Sequence, residues 1–123
     1  METKVSRTGP AAVVTANLEA GMPGVRDALT HLESELAAAR RRGVRLLRLI
    51  HGYGSRGVGG RIRTRCRARL AQLLEERSIR GIVYGEDLSE FSVAGQEFLT
   101  RHPAVRPTLR TDRLNPGITY VEL

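Results

Sequence analysis

Cys66 is the only cysteine in this 123-residue chain, so neither a disulfide framework nor a cysteine-based zinc site can form within one molecule. Tryptophan is absent and aromatic residues make up 4% of the chain, which leaves Leu, Ile, Val and Ala to build the core. Lysine is almost missing as well. Lys4 is the only one, so the positive charge is arginine, permanently ionised and forked to fit carboxylate or phosphate oxygens. Acid is missing from residues 36–74, while eleven arginines fall between Arg40 and Arg69. No apolar run approaches membrane-spanning length, and no signal-like segment opens the sequence. The expectation is a cytoplasmic protein with no membrane partner.

What is present is concentrated in one place. Residues 49–63 read Leu-Ile-His-Gly-Tyr-Gly-Ser-Arg-Gly-Val-Gly-Gly-Arg-Ile-Arg, a hydrophobic strand end running through five glycines into a helix start. Glycines let backbone N–H groups converge on an anion, and a helix N-terminus adds unpaired donors and a favourable dipole. Lys+Arg total 20 against 13 for Asp+Glu, a formal net charge of +7. One-signed charge flanking a glycine loop focuses that excess at one end of the molecule and points to nucleic acid as ligand.

The length suits one domain with a core of its own, residues 11–123, preceded by a polar, aperiodic tail over 1–10. Residues 11–18 read as a first strand. Val25, Leu29, Leu32, Leu36 and Ala39 lie on one face of a helix, which Gly43 stops after Arg40, Arg41 and Arg42 complement its dipole. Residues 44–50 form a short, mostly apolar run between glycines, typical of a strand covered on both faces. After the glycine loop, Ile62, Cys66, Leu70, Leu73 and Leu74 share a helical face; Arg61, Arg65 and Arg69 line one flank and Arg63 and Arg67 the other. Residues 79–84 predict a third strand, 87–102 a shorter helix ended by Pro103, and 118–123 a last strand after the turn Asn115-Pro116-Gly117. This alternation predicts an α/β fold with a small mixed four-stranded sheet, two main helices and an extra short helix before the last strand.

Gly52-Tyr53-Gly54-Ser55-Arg56-Gly57 matches the dinucleotide fingerprint G-x-G-x-x-G. It follows the second strand rather than the first, however, and the acids at the nominal offset, Glu75 and Glu76, fall on a helix. A Walker-type phosphate loop is excluded because no Gly-Lys-Ser/Thr follows. His51 is the best single candidate for chemistry or phosphate contact, with backbone support of the loop as the alternative role. Tyr53 can stack on a base or pack the loop. His31 reads as a surface residue, His102 as a helix-end dipole partner and Cys66 as an inert core thiol. Glu86, Asp87 and Glu90 read as a solvated helix start.

Ile50-His51-Gly52-Tyr53-Gly54, then Gly60-Arg61-Ile62-Arg63 and the closing Gly117-Ile118-Thr119-Tyr120-Val121-Glu122-Leu123, together resemble the Smr (small MutS-related) domain, over about residues 13–123. The resemblance implies a βαβαββ sheet like the C-terminal domain of bacterial translation initiation factor three. It also implies DNA or RNA as ligand, and endonuclease activity in several members, metal-assisted or metal-independent. Where the family carries Leu-Asp-x-His-Gly, this chain has Leu18-Glu19-Ala20-Gly21-Met22. Glu19 replaces the aspartate and Gly21 the histidine.

The expected protein is therefore a stand-alone Smr-like domain that binds single-stranded or branched nucleic acid. Arg56, Arg61, Arg63 and Arg65 would contact phosphates, the backbone at Gly52 and Gly54 would approach closely, and Tyr53 would stack. Binding requires no cofactor. Any cleavage is expected to be weak, with His51 as acid, base or electrostatic stabiliser and Glu19 positioning water or a metal such as Mg²⁺ or Mn²⁺. The alternative of a different class is a non-catalytic module for a protein or a small phosphorylated ligand, which would show a shallower salt dependence.

Overall fold

The computed structural model describes residues 2–6, 13–53, 59–89 and 91–123. In chain order these form β1 (Glu2–Ser6), β2 (Val13–Asn17), α1 (Val25–Arg41), β3 (Leu46–Ile50), α2 (Gly59–Glu75), β4 (Gly81–Tyr84), α3 (Val93–Arg101), α4 (Leu109–Asp112) and β5 (Ile118–Glu122). Two 3₁₀ turns, Gly85–Asp87 and Pro103–Thr108, flank α3. The fold is α/β around a mixed sheet of order β1-β2-β3-β5-β4. β2 and β3 are parallel, and β5 runs antiparallel between β3 and β4.

Strands β2 to β5 are the four expected from sequence. A fifth must be added, because Glu2–Ser6, expected to lie in a loose tail, pairs antiparallel with β2 from Glu2 opposite Asn17 to Ser6 opposite Val13. Backbone pairing along an exposed sheet edge needs no hydrophobic pattern in the added strand, which is why composition alone did not mark it.

The helices follow their apolar spacing. α1 buries Ala28, Leu32, Leu36 and Ala39, and it ends on Gly43 at φ +68°, where the amides of Gly43 and Val44 bond back to Arg40 O and Ala39 O. α2 buries Ile62, Cys66, Leu70 and Leu73. Burial pushes the Cys66 thiol up to about 11, as an inert core cysteine requires. Both helices pack on the sheet face formed by Val14, Ala16, Leu47, Leu49 and Val121. His31, expected on the surface, is buried on α1 and pairs with Glu35 one turn on, its Nε2 3.2 Å from Oε1.

The opposite sheet face is covered too. Val13, Leu46, Val83, Ile118 and Tyr120 point into a second core closed by Leu88, Phe98 and Val105. Residues 85–113 thus form a layer rather than the single helix expected over 87–102. That helix begins only at Val93, with Ser92 Oγ accepting from the Gly95 amide at 3.0 Å, and the chain turns again after Pro103. Leu47 and Leu49 lie on one face of β3 and Leu46 on the other because both faces are covered.

One ion pair ties this layer to the sheet. Arg48, which continues the Leu46 face, donates to Asp112 through Nε and Nη2, both at 2.6 Å. Asp112 is fully buried and also accepts from the Tyr120 hydroxyl and from Thr111 Oγ1 at 3.2 Å. Burial and the Asp112 carboxylate push the Tyr120 phenol far above its ordinary range, so it stays a donor. Asp112→Ala should strand the Arg48 charge under the layer and cost about 3 kcal/mol, the lower end for breaking a buried pair because Arg48 keeps some water contact. Urea unfolding at pH 7 measures it; a loss below about 1 kcal/mol would show that Arg48 is solvated without its partner.

Candidate nucleic-acid interface

β2, β3 and β4 run the same way, so Glu19, His51 and Gly85, just past their ends, share one edge of the sheet with Asn115 to Gly117, which lead into β5. Ligands of α/β sheets collect at this kind of edge. The strand ends are stitched together: Leu18 N donates to Ile50 O at 2.7 Å, and the amides of His51 and Gly52 both donate to Gly117 O, at 3.0 and 3.2 Å.

Gly52 has φ +75°, and a methyl group on its α-carbon would collide with the Glu19 carboxylate. Glu19 itself is exposed, in a turn whose amide bonds to Asn17 Oδ1 at 3.0 Å. The acid after β2 and the glycine after β3 therefore touch. Tyr53 is 56% exposed, and its ring edge comes within 3.2 Å of where a side chain on Gly117 would begin. Gly54 and Arg56 lie outside the described residues.

His51 is placed differently from an open catalytic imidazole. It is fully buried, with Nδ1 2.7 Å from Gly52 O and Nε2 2.7 Å from Thr119 Oγ1. A carbonyl can only accept, so Nδ1 carries the proton and the Thr119 hydroxyl donates to Nε2. Both ring nitrogens are thus spent on holding the loop and β5. Burial lowers the His51 pKa to about 4, helped by the positive charge of Arg67 and Arg63 and opposed by the Gly52 carbonyl and by Glu86.

Arg67 completes this support. Its Nε donates to Thr119 Oγ1 at 3.1 Å, its two terminal nitrogens grip Glu86 at 2.7 Å each, and the guanidinium lies 4.0 Å from the centre of the Tyr84 ring. Nη2 also reaches the carbonyls of Pro116 and Ile118, at 3.4 and 3.3 Å. Expected on a solvated flank, Arg67 is an internal clamp. Glu86, expected in a solvated helix start, is its counterion, and hydrogen bonds from Arg67 hold its carboxyl below the usual range. Arg67, Glu86 and Thr119 were missed as site residues because their partners lie 19 and 52 positions apart. The missing acid across residues 36–74 gave no hint of acids supplied from elsewhere.

Other arginines of the run are also compensated: Arg48 by Asp112, and Arg69 by Glu33 at 2.8 Å. Arg61, Arg63 and Arg65 differ. They stand in the first two turns of α2, a helix with no acid in its first turn, and among the described residues they enter no ion pair. Arg61 and Arg65 are exposed and Arg63 is half-buried. Arg65 leans toward α1, lining a groove with Leu29, Glu33 and Arg69. Among the described residues no group of three or more His, Cys, Asp or Glu is arranged to hold a metal ion.

Comparison with known proteins adds no relative: no protein-family model, curated protein or solved structure matches the chain.

A neutral, buried His51 makes folding sensitive to acid. Above pH 6.5 neither folded nor unfolded chain protonates this ring, and its full contribution is present. As pH falls from 6.5 toward about 4, only the unfolded chain takes up the proton. Stability should drop by about 3 kcal/mol across that window through His51 alone. Urea unfolding between pH 7.5 and 4.5 on wild type and His51→Gln should show the steep loss in wild type only. Parallel profiles would mean the ring is already accessible to protons.

Proposed function

We propose that this chain is an Smr-like nucleic-acid-binding domain, which takes phosphates at the edge built by the loop after β3 and the start of α2. What carries the reading is the contrast among arginines. Arg48, Arg67 and Arg69 are consumed by internal carboxylates, whereas Arg61 and Arg63, in the first turns of α2, enter no ion pair among the described residues, Arg63 feeling Glu86 only from a distance. Charge-assisted, forked contacts to phosphate are the interaction such groups make best. Exposed Tyr53 at the same edge supplies a face on which an unpaired base can stack, which favours single-stranded or branched nucleic acid. The order β2-α1-β3-α2-β4-β5, with residues 85–117 inserted before the last strand, supports the Smr resemblance and its kinship with the C-terminal domain of translation initiation factor three.

Binding is primary and cleavage secondary in this reading. His51 acts as a positioning residue, because both of its nitrogens are engaged within the protein. The outward-facing acid is Glu19, one carboxylate beside Gly52, with Gly21 where the resemblance would place a second histidine.

Arg61→Ala and Arg63→Ala should each weaken binding to single-stranded RNA or DNA by roughly 1 to 3 kcal/mol, and the double variant should flatten the salt dependence. Fluorescence anisotropy at low salt reads this directly; unchanged affinity would move the site elsewhere. A shallow salt slope in wild type itself would favour a small phosphorylated ligand or a protein.

Cleavage is tested on single-stranded RNA, single-stranded DNA and nicked duplex, with and without Mg²⁺ and Mn²⁺, using wild type, His51→Ala and Glu19→Gln. Lacking one of two acid–base groups removes about 10² to 10⁴ in rate, so turnover should be marginal in wild type and lost in Glu19→Gln. Robust turnover by Glu19→Gln would overturn the role assigned to that acid.

A further inference from the structure

The sheet edge opposite the loop carries a second concentration of arginine. A groove of about 530 Å³ is lined there by Arg40, Arg45, Arg80, Arg101, His102 and Glu122, among others. Glu122 is the one carboxylate side chain in the lining, and it is already held by Arg101 at 3.1 Å and by His102 Nε2 at 2.7 Å. Arg40 is steadied by the Ser78 carbonyl at 2.8 Å. Arg45 and Arg80 are exposed and enter no ion pair among the described residues.

Their placement is built into the sheet. Arg45 immediately precedes β3 and Arg80 immediately precedes β4, and the end of β5 lies between them: Leu123 N donates to Arg45 O at 2.9 Å and Arg80 N to Glu122 O at 2.7 Å. With neighbouring strands about 4.8 Å apart, the two arginines project from points about 10 Å apart across one intervening strand. Arg40, on α1, joins the row without an internal carboxylate, whereas Arg101, on α3, is held by Glu122 at the margin of the groove. Arg45 and Arg80 rooted about 10 Å apart, with Arg40 beside them, spread their charge over more than the width of a single phosphate. A row of that length fits successive phosphates of a polymer.

We propose that this groove is a second backbone-binding site for nucleic acid, independent of the loop and facing away from it. Strands of five residues hold the two edges about 17 Å apart, so the domain can engage two nucleic-acid segments at once. The proposal rests on nucleic acid being the ligand, but not on the loop being the place of contact.

The test uses a labelled single-stranded oligonucleotide too short to reach both edges, with stoichiometry measured by sedimentation at low salt, and a longer strand for the salt dependence. Wild type should take two short strands and Arg45→Ala/Arg80→Ala one. For the longer strand that variant's slope of log affinity against log salt should become shallower by roughly 1.4, the value expected when two phosphates of a single strand are no longer neutralised. Arg45→Lys/Arg80→Lys should restore most of both. Two-strand binding with an unchanged slope in Arg45→Ala/Arg80→Ala would overturn the proposal. Loss confined to Arg61→Ala/Arg63→Ala would leave the loop as sole site and overturn the groove, whereas loss confined to Arg45→Ala/Arg80→Ala would sustain the groove and remove the loop. Wild type that binds no nucleic acid would overturn both.

Discussion

Arg67 is the residue on which the candidate edge depends. From one position on α2 it reaches Thr119 on β5, Glu86 in the turn after β4, and the carbonyls of Pro116 and Ile118, while lying against Tyr84. Through Thr119 it also reaches His51, and through His51 the Gly52 carbonyl. Four separated stretches of chain meet in this one network. Bidentate pairing with Glu86 orients the guanidinium, and a lysine, with a single ammonium on a flexible stem, would not reproduce the fork. The chain of donors fixes the imidazole tautomer in turn: Arg67 occupies a lone pair of Thr119, and the Thr119 hydrogen is left for Nε2.

The second covered sheet face has a related logic. A sheet with two helices on one side and nothing on the other would expose Leu46, Ile118 and Tyr120. Residues 85–113 remove that surface from water, and they do it with a charged anchor as well as with Phe98 and Val105. The Arg48–Asp112 pair contributes little net stability compared with an apolar pair of similar size, but its directional fork admits few alternative seatings of the layer. The layer and the site are continuous, since the layer begins with the turn containing Glu86 and runs directly into Asn115 to Gly117.

Elements with local signals were legible in the sequence. The period of Leu32, Leu36 and Ala39, the stop at Gly43 and the apolar run before His51 each carry their reason within a few residues, and each marks a real helix, cap or strand. What was illegible depended on distant partners. Nothing near Arg67 in sequence announces Glu86, so Arg67 read as surface charge, and nothing near Arg48 announces Asp112 as the partner that lets it sit in a covered strand. The same limit applied to β1, which exists as a strand only through its pairing with β2. At the candidate edge, the juxtaposition of Glu19 with Gly52 followed from parallel strand order, whereas the burial of His51 required knowing that Thr119 and Arg67 close over it.

The burial of His51 also settles how its chemistry compares with that of its surroundings. With a pKa near 4, about one molecule in 10³ carries a protonated ring at pH 7, and the neutral ring is a weak base whose lone pair already accepts from Thr119. Proton transfer at neutral pH would first have to break that bond and expose the ring, undoing the support of Gly52. Phosphate binding requires neither step. In the proposed reading it would draw on Arg61 and Arg63, on the amides at the start of α2 and on the compact Gly52 turn. A histidine held as a neutral strut supports the Gly52 turn, and proton transfer by that ring would require it to leave that support.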